Sequence, residues 1–96
     1  MNARRIFHDK TIFPDGSIVE MTIWQLPSPT PERPHGLKYS LYFGRDGKRL
    51  VGYDNERGKG DHKHIGKAES LYAFVDVDTL VADFIADVRR LRDEIN

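Results

Sequence analysis

Leu80, Phe84, Val88, Leu91 and Ile95, joined by Val81 and Ile85, recur along the C-terminal segment at spacings of three and four. That spacing places them on one stripe of an α-helix. The segment therefore supplies one amphipathic helix from about 77 to 93, with Asp76 or Asp78 as its N-cap. Upstream the period changes to two. Leu37, Tyr39, Leu41 and Phe43 alternate with Lys38, Ser40 and Tyr42, the pattern of a strand with one buried face. Val19, Met21 and Ile23 do the same between Ile18, Glu20, Thr22 and Trp24. Strands are expected within 4–13, 17–26, 37–43, 49–54 and 69–74. A single helical stripe can cover only one face of the sheet they form. The fold class expected is α+β: an antiparallel sheet of about five strands with one C-terminal amphipathic helix packed on one face.

The connections agree with this order. Pro14-Asp15-Gly16 and Gly44-Arg45-Asp46-Gly47 carry turn chemistry. Residues 27–36 hold four of the five prolines; they cannot donate to a sheet ladder and are expected to form an extended surface loop. Ninety-six residues make one domain. The absence of cysteine excludes thiolate nucleophiles and Cys-type zinc sites. The N-terminus lacks the apolar core of a signal peptide, and no apolar run approaches the ~20 residues of a membrane span. A cytoplasmic protein without membrane contact is expected.

Total charge is balanced at 15 basic and 15 acidic residues, but its distribution is not. Residues 44–67 carry seven basic against four acidic side chains, and residues 76–96 carry three against six. A basic face opposite an acidic one would be hidden by the balanced sum.

The stretch from Gly52 to His64 concentrates carboxylates, cations, an amide, a phenol and two imidazoles among almost no apolar side chains. In extended backbone His62 and His64 point to one side and Lys63 to the other. Three readings are open. The stretch can be a solvated connection between strands. It can be a metal site, with His62 and His64 as ligands and Asp54, Asp61 or His8 completing the set. It can also handle phosphate, on RNA in particular: cleavage by transesterification needs a base, an acid and cations for the phosphorane. His62 and His64 beside Arg57, Lys59 and Lys63 contain those types. Outside the stretch, Trp24 can stack a base or simply pack at the sheet edge.

The run from Val51 to His64, with its Tyr53-Asp54-Asn55 and its His62-Lys63-His64, resembles the central signature of the TumE family of small toxins. The resemblance extends to the Phe13-to-Ser17 turn, to Leu37 through Leu41 and to Leu80 through Val88, and so covers most of the chain. It implies the toxin of a bacterial type II toxin–antitoxin module, paired with a helix-turn-helix antitoxin encoded alongside. Many toxins of such modules act on RNA. The chemistry of the residues then suggests a metal-independent ribonuclease without cofactor. His62 and His64 are expected as general base and acid, Asp54 as the orienter of one imidazole, and Arg57 as a phosphate clamp. Lys59, Lys63 and Asn55 are expected to bind substrate. The alternative is a non-enzymatic module that docks a protein or nucleic acid through residues 53–64.

Overall fold

The computed structural model describes residues 3–56 and 60–95. Six strands form one sheet in chain order, each antiparallel to the next: β1 (Arg4–Ile12), β2 (Ile18–Gln25), β3 (Leu37–Arg45), β4 (Lys48–Asp54), β5 (His62–Ile65) and β6 (Ala68–Leu71). The helix α1 (Val77–Ile95) follows. The architecture is the expected α+β sheet with one terminal helix, but the strands number six. The additional strand, β5, contains both histidines of the polar stretch.

Turn chemistry fixes the two hairpins that build this half of the sheet. Asp46 and Gly47 both have positive φ, at 55° and 74°, as the central pair of a type I′ turn requires. The turn is therefore this pair alone, and Gly44 and Arg45 belong to β3. Between β5 and β6 lie only Gly66 and Lys67, with Gly66 at φ 59°. A glycine at the first central position is the mark of a type II′ turn.

The core lies between the sheet and α1. Val19, Met21 and Ile23 of β2, Tyr39, Leu41 and Phe43 of β3, and Val51 and Tyr53 of β4 pack with Leu80, Phe84 and Val88 of the helix. These strand residues sit directly opposite one another, Met21 with Leu41 and Leu41 with Tyr53, so one sheet face is apolar throughout. Tyr53 meets Phe84 edge-on at 5.6 Å between centroids. Asp83 and Asp87 border this interface. Asp83 accepts a hydrogen bond from the Tyr72 hydroxyl at 2.6 Å and Asp87 accepts one from Tyr53. Burial first, and those bonds second, push both phenols above their ordinary pKa. Asp76 caps the helix: its carboxylate accepts from the Thr79 N–H at 2.7 Å, and its carbonyl receives the first helical bond, from Leu80.

The proline-rich loop is less detached than its composition suggests. Most of it is exposed, but Arg33 is buried and donates from Nε to the Asn55 carbonyl at 3.1 Å. His35 reaches Asp61 at 3.0 Å and packs on Phe74. The loop thus ties the start of β3 to the two ends of the polar stretch.

Phe84 is fully buried, and truncating such a ring typically costs about 3–5 kcal/mol. Phe84→Ala should therefore unfold most of the population at ambient temperature, read as loss of the cooperative thermal transition. Three carboxyls predict the pH response. The Ser17 hydroxyl holds Asp15 below its ordinary pKa, the His8 ring does so for Glu20, and the Thr79 backbone N–H for Asp76. Depressed carboxyl values mean stability that is complete above the ordinary pKa and lost as pH falls through the folded one. The urea midpoint should accordingly fall as pH is lowered from about 5 to about 3.

Candidate functional site

Strand alternation decides what the polar stretch becomes. Val51 and Tyr53 point into the core, so Gly52 and Asp54 point to the face that α1 does not cover. β5 pairs with β4 so that His62 sits opposite Asp54 and His64 opposite Gly52. β6 in turn places Glu69 opposite His64 and Leu71 opposite His62. Two imidazoles and two carboxylates therefore share one corner of the uncovered face.

One imidazole or carboxylate atom from each of Asp54, His62 and His64 lies within 4.8 Å of the others. His62 Nε2 is 2.6 Å from Asp54 Oδ1 and 3.6 Å from Glu69 Oε2, and His64 Nε2 is 3.3 Å from the same Glu69 oxygen. The two rings stand edge to face, 5.1 Å apart. On its other side, His62 Nδ1 is 2.9 Å from the Gly60 carbonyl; a carbonyl only accepts, so that nitrogen carries the proton. His62 is buried, at 4% exposure, while His64 is half-buried. An open cleft of about 370 Å³, lined by His62, Glu69, Ser70 and Leu71, leads to the cluster.

The other expected site residues go elsewhere. Lys63 points to the helix side, 3.6 Å from Asp87 and over the Tyr53 ring. Asn55 is 1% exposed, and its amide is committed to the backbone of β3: Oδ1 accepts from the Tyr39 N–H at 3.0 Å and Nδ2 donates to the Leu37 carbonyl at 2.8 Å. It continues the β3–β4 ladder past the end of β4, a structural role in place of the substrate contact expected of it. Arg57 and Lys59 lie outside the described residues.

Two contributors were not foreseen. Glu69 follows from reading Gly66-Lys67 as a two-residue hairpin turn, because that register sets Glu69 against His64. Arg49 lies across Gly52, where a Cβ would come within 2.8 Å of its side chain. Glycine at 52 leaves room for the arginine in this position. Farther along the same face, Trp24 is half-buried, with the Lys38 ammonium 5.3 Å from its ring centroid.

Comparison with known families decides what the chain belongs to. The family model described as toxin TumE matches residues 2–92. The chain belongs to the TumE family. No curated protein and no solved structure matches it. TumE membership brings a toxin role and implies an antitoxin partner. None of the described helices is long and apolar enough to cross a membrane.

The placement of Asn55 in this TumE chain gives a direct test. Asn55→Ala leaves a buried donor on Tyr39 and a part-buried acceptor on Leu37 without partners, the buried donor alone costing roughly 1–3 kcal/mol. The variant should lose stability in a urea melt by at least that much. A residue that only bound substrate would leave the melt unchanged.

Proposed function

We propose that this TumE chain is the toxin of a type II toxin–antitoxin module that acts on RNA in the cytoplasm, with the cluster of Asp54, His62 and His64 as its working site. The observation that carries the reading is the convergence of those three side chains on the sheet face that the helix leaves open. The same face presents Arg49 for a phosphate and Trp24 for a base, the two kinds of contact that single-stranded RNA takes. Arg57 and Lys59, each three positions from a cluster member in sequence, add cationic charge to the same stretch of sequence. The partner is a helix-turn-helix antitoxin protein encoded next to the toxin.

The cluster acts as a unit. An equal division of labour between two free imidazoles suits this geometry poorly, because His62 is buried with Asp54 against one nitrogen and the Gly60 carbonyl against the other. His64, nearer the cleft, is the member that meets the substrate side.

Induced expression of the chain should arrest growth, and co-expression of the neighbouring helix-turn-helix protein should relieve it. The purified chain should cleave RNA at low salt, and Asp54→Asn should reduce the rate by about 10²–10⁴-fold. Arrest that persists in Asp54→Asn would remove the cluster from the mechanism. Arrest by a chain that cleaves no RNA would favour the non-enzymatic docking module instead.

A further inference from the structure

Asp54 Oδ1 is buried and receives no hydrogen bond, although His62 Nε2 is only 2.6 Å away. Buried carboxylate oxygens are ordinarily satisfied, so this one requires a reason. The Gly60 carbonyl holds the ring proton on Nδ1 and leaves Nε2 to offer its lone pair. In that tautomer two lone-pair atoms face each other at close range. His64 Nε2 stands 3.3 Å from Glu69 Oε2. Two imidazoles and two carboxylates thus converge on one small volume.

A phosphodiester approaching this corner meets two carboxylates, while Lys63, the cation expected to receive it, sits on the opposite face against Asp87. A cation within the cluster resolves both the crowding of lone pairs and the repulsion of the phosphate.

We propose that Asp54, His62 and His64 bind a divalent transition-metal ion of the zinc type through Oδ1 and the two Nε2 atoms, with Glu69 as an exposed fourth group that gives way to substrate. The donor set favours this class, since imidazole with carboxylate suits zinc and its neighbours whereas magnesium prefers oxygen alone. Ligand bonds of about 2.0–2.2 Å around a tetrahedral ion set donor atoms roughly 3–4 Å apart. The cluster, all within 4.8 Å, reaches that arrangement by small side-chain rotations that widen the Asp54–His62 contact. The Nδ1 bond to Gly60 is the outer-shell support that zinc-bound histidines commonly have, and the cleft beside Glu69 gives the ion a path in. His8 with Glu20 and His35 with Asp61 offer one imidazole and one carboxylate each. Among the described residues, only the Asp54 group brings three ligands together.

The inference rests on the reading of this cluster as the working site, but it is tested without RNA. The metal-free full chain is titrated with zinc chloride by calorimetry, with magnesium chloride in parallel and the fold checked by circular dichroism. One zinc per chain is expected, with a higher melting temperature in zinc than in chelator, and no response to magnesium. Asp54→Asn and His64→Gln should each weaken zinc binding by about 100-fold or more, since even outer-shell losses cost about 10–100-fold. Glu69→Gln, on an exposed edge strand, should fold normally and weaken it by about 10-fold. Glu20→Gln should leave it unchanged. A wild-type chain that takes up no zinc overturns the proposal. So does binding that survives Asp54→Asn and Glu69→Gln undiminished, because the metal would then sit elsewhere. A chain that arrests growth with no zinc bound overturns the metal site and leaves the toxin reading intact. A chain that binds zinc as described yet never arrests growth does the reverse.

Discussion

The packing of Leu80 and Phe84 on Val51 and Tyr53 fixes the parity of the whole sheet. Once Val51 and Tyr53 face the helix, Gly52 and Asp54 must face away from it, and antiparallel pairing hands the same polarity to β5 and β6. A slip of one residue would turn Asp54 and both imidazoles into the core and expose Tyr53. The cost of burying that polar group without partners, added to the loss of the aromatic contact, makes this register strongly preferred. The site is therefore a consequence of core packing on the other side of the sheet.

That dependence explains how much could be read from the chain alone. The helix stripe and the alternation in β2 and β3 are periodic over many residues, and both appear in the fold where the pattern puts them. The grouping of Asp54 with His62 and His64 was also legible, because two of the three share a strand and the third stands in the same polar stretch. What was not legible depended on cross-strand register. Without β5 as a strand, Glu69 had no reason to stand beside His64. Asn55 has the side chain of a ligand-binding residue, and nothing local shows that its amide substitutes for a strand end.

The distribution of charge has the same origin. Among the described residues, the basic side chains of 44–67 divide between the two faces: Lys63 crosses to the helix and pairs with Asp87, while Arg49 lies over the glycine at 52. The described charged groups nearest the histidine rings are the carboxylates of Asp54 and Glu69. Polar groups in such a setting attract a cation more readily than they attract a bare phosphate. The proposed RNA-directed role and the proposed metal site would then be parts of one electrostatic arrangement, with the uncovered face meeting the nucleic acid and the cluster holding the ion.

The tautomeric state of His62 tests this account most directly, because both the convergence of the ligands and the role of the Gly60 carbonyl depend on it. Long-range proton–nitrogen correlation spectra of the uniformly nitrogen-15-labelled chain report each ring nitrogen separately. The expected result is a proton on His62 Nδ1 both with and without metal, and a joint shift of His62 Nε2 and His64 Nε2 on addition of one equivalent of zinc. A His62 Nδ1 that carries no proton, or zinc that moves one ring and leaves the other untouched, would contradict this.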